Sequence, residues 1–270
     1  MGTGCRRAIL FLLFSPLFGT GFAQTETPVK VDKPLKSYSH WYFGAEYGVP
    51  FLFGDFTSFS ADKNYVGSQF GGFIGYQVNS WIGIEASART GYTRMGAKSY
   101  AGDYLMNADG MTYYTNQDFN TWKYKDVFSK VHFTNIGLQM NLNVNNFFGP
   151  NRGNRRWTVL LSPAVYAQHF STELINKADK SPLSGKKTDK WNIGIGGDVS
   201  LRYKISRAFD VQLRTGIIWV NNNKMDGIST LIKSKDHFMT SAGLSLIWKV
   251  GKKKEDNVLY ALSLIHISEP

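Results

Sequence analysis

From Trp41 onward the chain alternates apolar residues with polar or small ones at a period of two, the pattern of strands with one apolar face. In WYFGAEYGVPF (41–51), Trp41, Phe43, Ala45, Tyr47 and Val49 share one face, and Tyr42, Gly44, Glu46 and Gly48 share the other. The rhythm recurs in QFGGFIGYQV (69–78), IGIEASARTGY (82–92), NIGLQMNLNV (135–144), WTVLLSPAVYAQ (157–168), WNIGIGGDVSLRYKI (191–205), FDVQLRTGIIWV (209–220) and FMTSAGLSLIWKV (238–250). The fourth stretch is the cleanest, with Ile136, Leu138, Met140, Leu142 and Val144 opposite Asn135, Gly137, Gln139, Asn141 and Asn143. In the fifth, Leu160 blurs the polar face and Pro163 weakens the strand; Trp81 is out of phase with its strand and stays unassigned.

Eight such strands fit a soluble sandwich or a closed barrel in an outer membrane. Three features favour the barrel. The stretches match the roughly 9–11 residues of a tilted membrane strand rather than the five or six usual in soluble sheets. Their non-apolar face carries Glu46, Glu85, Arg89, Asp198, Arg202, Arg214 and Lys249, charges that cannot face lipid but can pair inside a narrow barrel. Connections also alternate in length: short around Asn79–Ser80 and Ser206–Arg207, medium in NNFFGPNRGNRR, and long and polar elsewhere, the longest from about Thr93 to Lys130. The fold expected is all-β, an eight-stranded antiparallel up-and-down transmembrane β-barrel over 38–250, with both barrel ends in the periplasm and the long loops outside.

Aromatic residues fit that topology. Trp41, Tyr76, Trp157, Tyr203, Phe209 and Trp248 fall at periplasmic strand ends, and Phe51, Tyr92, Phe133, Trp191, Trp219 and Phe238 near outer ends, giving two girdles. Inward glycines (Gly44, Gly48, Gly71, Gly75, Gly83, Gly194, Gly196, Gly216) leave room in a tightly curved wall. Eight strands enclose just enough space for their own side chains, so no open diffusion pore is expected.

The N-terminal MGTGCRRAILFLLFSPLFGTGFAQ pairs Arg6 and Arg7 with an apolar run and a small-x-small ending, which reads as a signal peptide over 1–23 followed by a periplasmic segment, 24–37. Cys5, the single cysteine, lies within that signal, so the exported chain is expected to carry no thiol, disulfide or cysteine-bearing metal site. The formal charge of +11 is spread over loops and over GKKKE rather than gathered in a stripe. For an exported chain it points to outer-membrane lipid and lipopolysaccharide phosphates as partners, and not to nucleic acid. GIGGD (194–198) lies within a strand with no helix after it, against a phosphate loop. His40, His132, His169, His237 and His266 show no metal-ligand spacing and read as loop or interface residues. No cofactor or metal is expected.

Signal peptide, eight alternating strands, periplasmic ends and a charged, glycine-rich interior together resemble the small outer-membrane barrels, the OmpA-type transmembrane domain and its outer membrane protein beta-barrel relatives. The resemblance covers about residues 38–250 and implies a structural or surface role without catalysis. In OmpA-type proteins a linker then leads to a peptidoglycan-binding domain; GKKKEDNVLYAL, residues 251–261 and onward, reads as the start of such a linker. The chain is thus expected to be a C-terminally truncated piece of a longer cell-wall-tethering protein. LSLIHISEP, Leu262–Pro270, resembles one reading frame of a transposase-end adapter and reads as artefact. Two alternatives remain: a surface adhesin or receptor acting through the tyrosine- and asparagine-rich loop from Thr93 to Lys130, and, further off, a lipid A deacylase. The latter rests on His169, Ser171 and Glu173, which share a face and resemble the His-x-Ser pair of those enzymes.

Overall fold

The structure, a computed structural model, describes residues 38–53, 64–96, 104–105, 121–147, 155–183, 188–221, 225, 227, 237–251 and 256–260. The expected signal peptide, the segment 24–37, the tail 262–270 and most of the longest loop lie outside the described residues. The strands, within a unit spanning Lys36–Pro270, are β1 (Tyr38–Ser39), β2 (Trp41–Phe53), β3 (Asn64–Gln77), β4 (Ile82–Gly96), β5 (Val127–Asn143), β6 (Trp157–Asn176), β7 (Thr188–Lys204), β8 (Phe209–Val220), β9 (His237–Lys249) and β10 (Asp256–Asn257). β2 to β9 form a closed barrel in which each strand pairs antiparallel with its sequence neighbours and β9 returns to β2. The eight strands are those expected from the alternation, and the fold is an eight-stranded antiparallel up-and-down β-barrel.

Register sets the barrel's width. A path perpendicular to the strands runs Phe43–Ile74–Ala86–Leu138–Val165–Ile195–Trp219–Phe238 and re-enters β2 at Phe53, ten residues beyond its start. Eight strands with that stagger tilt by about 40° and enclose a backbone radius of about 8 Å, a space that side chains fill. Every residue on the path is apolar and faces outward. One circuit climbs about 25 Å along the axis, since ten residues rise about 3.3 Å each at that tilt.

At one end, the turn end, the connections are tight and side chains fix them. Asn79 Oδ1 accepts from the amides of Trp81 (2.8 Å) and Ile82 (2.9 Å), an Asx turn that places Trp81 in the turn and explains its broken phase. Ser206 Oγ does the same for Phe209 (2.9 Å) and Ala208 (3.2 Å) between β7 and β8. Asn143 and Asn146 both donate to the Ser80 carbonyl and tie the β5–β6 connection, with its short helix α1 (Val144–Phe147), to the β3–β4 turn. The ladder between β5 and β6 is interrupted between Gln139–Ala164 and Leu142–Leu161, where Pro163 offers no amide hydrogen.

At the opposite, loop end the strands run further than the alternation suggested. Thr93–Gly96 and Val127–Lys130, expected in the longest loop, are paired strand, and β6 continues to Asn176. The apolar rhythm lapses there, although backbone pairing persists. A second correction concerns 251–261, expected as a departing linker. Asp256–Asn257 instead pairs in parallel with Tyr38–Ser39, and the 3-10 turn Val258–Tyr260 is buried against the barrel's turn end.

Two inward glycines act as sockets. A Cβ on Gly75 would lie 2.0 Å from the Tyr42 ring, and one on Gly44 would lie 2.1 Å from the Phe73 ring. The outer atoms of the rings occupy these bare positions, and the rings meet edge-on at 6.3 Å. Gly75→Val is therefore expected to destabilise the barrel by about 1–3 kcal/mol through overpacking. The check is urea unfolding in lipid vesicles; an unshifted midpoint would contradict the socket.

Candidate functional site

The seven charges singled out on the polar face all point into the barrel, and each is 5 % exposed or less. An eighth, Asp210, was missed. It is wholly buried on the same face of β8 as Gln212 and Arg214, so strand parity alone would have revealed it. With Asp210 the buried acids (Glu46, Glu85, Asp198, Asp210) equal the buried bases (Arg89, Arg202, Arg214, Lys249), four of each. Among the described residues the buried carboxylates and bases thus match in number, which limits the cost of placing charges in a space of low dielectric.

The centre is a shared network. Arg214 reaches Glu85 (2.7 Å), Glu46 (3.5 Å) and Asp198 (3.8 Å), while Arg89 reaches Asp198 (3.1 Å) and Glu46 (3.2 Å). Neutral groups complete the carboxylates. Glu85 accepts from the Tyr42 hydroxyl (3.0 Å), Gln139 (2.9 Å) and Asn141 (3.2 Å), and Glu46 accepts from Ser245 (3.2 Å). The Arg214 guanidinium also lies over the Phe73 ring at 4.8 Å. Toward the turn end, Arg202 donates to Gln212 (2.7 Å) and stacks over Tyr42 (4.9 Å). At the mouth Lys249 pairs with Asp210, whose second oxygen accepts from Tyr260 (2.9 Å).

The loop-end half of the interior is different in kind. Leu52, Met95, Phe133, Phe170, Val220 and Met239 form an apolar cluster, 2 % exposed or less, joined by Leu105, Tyr124 and Met225 from the loops. Phe133, expected in the outer girdle, belongs here. It shares its parity with Asn135 and faces inward at 2 % exposure. His237 is likewise corrected, since it is wholly buried on the inward face of β9 rather than at an interface.

The outer wall carries the remaining aromatics. Once heights are corrected for the climb of the register, Trp41, Tyr76, Trp157, Tyr203, Phe209 and Trp248 fall in a band about 6 Å deep at the turn end. Phe51, Tyr92, Trp191, Trp219 and Phe238 fall in a band about 7 Å deep at the loop end, and the two band centres are about 26 Å apart. Between the bands no described Asp, Glu, Lys, Arg or His faces outward, and large apolar groups such as Ile195 (58 % exposed) and Leu244 (58 %) stand free. Arg94, Lys130, His132, Glu173 and Asp189 face outward only at or above the loop-end band.

His169, Ser171 and Glu173 face outward in that upper zone. The carboxylate on His169 is Asp189, at 2.6 Å, rather than Glu173, and the ring packs on Trp191 at 4.9 Å. Ser171 Oγ hydrogen-bonds nothing, His169 included. The three side chains are thus brought to one face without being joined as nucleophile and base. Among the described residues no group of three His, Cys, Asp or Glu is placed to hold a metal ion. Gly194–Asp198 is mid-strand in β7.

No family model matches the sequence, and no curated protein matches it. Among solved structures, the chain is similar to the attachment invasion locus protein Ail of Yersinia pestis, at 10 % identity over 79 % of this chain and all of that one (TM-score 0.43). It is similar to Neisserial surface protein A at 12 % identity, over 78 % of this chain and 97 % of that one (TM-score 0.43). A major outer membrane protein of Thermus thermophilus matches at 12 % identity, over 78 % and 99 % of the two chains (TM-score 0.44). Likeness at this level concerns architecture alone.

The shared network makes a sharp expectation. Glu85→Leu removes the nearest carboxylate from the buried Arg214 guanidinium and is expected to cost roughly 3–5 kcal/mol, as is Arg214→Met. The double variant is expected to cost clearly less than the two together. Urea titration of all four proteins in lipid vesicles reads the coupling, and strict additivity would refute the network.

Proposed function

We propose that the chain is a transmembrane barrel of the bacterial outer membrane, acting as a closed structural wall that presents loops at the surface, without catalysis. The observation that carries this reading is the apolar belt, about 26 Å between aromatic bands and without an outward charge among the described residues, around an interior lined by buried side chains. A belt of about 25 Å flanked by aromatic rings is what an outer-membrane hydrocarbon layer selects. A closed ladder leaves no open sheet edge facing lipid. The short connections then lie in the periplasm and the long ones outside, following the usual asymmetry of such barrels. Lipid and lipopolysaccharide are its immediate partners, the latter through Arg94 and Lys130 just above the outer aromatic band. Within a longer parent the same barrel would serve as the membrane anchor of an OmpA-type cell-wall tether.

A second reading, adhesion through the long outer loops, has one specific support. The described base of the loop between β4 and β5 is braced: Leu105 and Tyr124 are buried in the apolar cluster, and Tyr104 bridges to Lys123. A rigid base lowers the ordering cost of binding at a loop tip. Deletion of residues 106–120 with retained barrel folding is expected to abolish any surface binding the protein has; unchanged binding would remove this reading.

The main reading predicts outer-membrane fractionation, heat-modifiable gel mobility, no stable openings in a planar bilayer, and no change in lipid A acyl content on expression. Large, long-lived single-channel openings would overturn the closed-wall reading, and loss of an acyl chain would overturn the non-enzymatic one.

A further inference from the structure

The turn-end mouth of the barrel is occupied by residues that follow the last barrel strand. Val258, Leu259 and Tyr260 are 8 %, 2 % and 7 % exposed, and Leu259 and Tyr260 pack on Leu160 of β6. Leu160 is the residue that blurs the polar face of its strand; its apolar partner comes from outside the barrel wall. Tyr260 is held by both its hydroxyl and its ring. Its hydroxyl donates to Asp210 (2.9 Å), and its ring receives the ammonium groups of Lys249 (4.9 Å) and Lys204 (4.6 Å). The approach to this turn is fixed by the parallel pairing of Asp256–Asn257 with Tyr38–Ser39 and by Asn257 Oδ1, which accepts from the Leu259 amide (3.0 Å).

We propose that Asp256–Tyr260 is a releasable stopper, which seals the periplasmic mouth and opens by local unfolding while the barrel stays closed. The proposal rests on the closed-wall reading above and adds how one side of that closure is made. Two contrasts carry it. The barrel strands are held by a ladder closed on itself, whereas the contacts seen for the stopper among the described residues are short-range and local: a two-residue pairing, a phenol–carboxylate hydrogen bond, cation–ring contacts and a small apolar cluster. Segments held by such contacts open independently of the global structure. The mouth is also built to receive it, because Asp210 has one oxygen on Lys249 and the other on Tyr260. Without Tyr260 the second oxygen loses its partner in a pocket where Asp210 is otherwise wholly buried.

The test uses the full chain in vesicles with Cys5→Ser, which removes its only thiol. Two reporters are introduced separately. Thr158→Cys lies two residues from Leu160 on the inward face near the mouth, and Ser87→Cys lies deep in the interior beside the ion network; the native residues are 2 % and 4 % exposed. Alkylation by a small water-soluble maleimide is compared with and without Leu259→Asp or Tyr260→Ala, with heat-modifiable mobility confirming a folded barrel. We expect the Thr158→Cys thiol to react at least tenfold faster once the stopper is broken, Tyr260→Phe to give a smaller increase, and the Ser87→Cys thiol to stay slow throughout. Equal rates at Thr158→Cys with intact and broken stopper, in a folded barrel, would overturn the stopper. Rapid labelling of Ser87→Cys in the otherwise native chain would instead overturn the closed-wall reading beneath it.

Discussion

Everything in this molecule follows from the closure of one hydrogen-bonded ladder. Eight strands return on themselves with a stagger of ten residues, and that fixes the tilt, the radius and the height of every side chain at once. A cylinder about 8 Å in backbone radius is just wide enough for its own side chains to fill. The interior must therefore be filled, and its filling must solve its own electrostatics.

It does so in layers. Near the turn end and the middle, Glu46, Glu85 and Asp198 share Arg89 and Arg214, Asp210 pairs with Lys249, and Arg202 rests on Gln212 and the Tyr42 ring, while amides and hydroxyls take up further carboxylate lone pairs. Glycines opposite Tyr42 and Phe73 let broad rings lie against the wall, which is how a narrow lumen holds both arginines and aromatics. Toward the loop end the filling changes to an apolar cluster that also receives loop residues. That half of the barrel resembles a small soluble core. It packs the loop-end strand extensions and the loop residues together by apolar burial.

The outer wall and the interior are coupled by strand parity, since each residue gained by one face is lost to the other. Phe133 shows the consequence. Counted by proximity to an outer strand end it belongs with Tyr92 and Trp191, yet its parity with Asn135 commits it to the interior. The same rule places Asp210 among the buried charges and completes the match of acids to bases.

The alternation determined the eight strands, their faces and seven of the eight described buried charges, because period-two patterning encodes which side of a strand meets which medium; strand length, the mid-strand charges and the alternating connection lengths pointed to closure. Asp210 and Phe133 were legible by the same rule. Tertiary structure decided what involves residues far apart in the chain. The pairing of Arg214 with Glu85 spans 129 positions, and that of Arg89 with Asp198 spans 109; only register and stagger set them. The partner of His169 proved to be Asp189, because a diagonal neighbour across strands is invisible to spacing along one. The strand extensions at Thr93–Gly96 and Val127–Lys130 came from backbone pairing where side-chain pattern had lapsed. The turn at Val258–Tyr260 reads as a linker in sequence because nothing local says where its apolar face will rest. Leu160 and Asp210, waiting in the mouth of a closed barrel, supply that information.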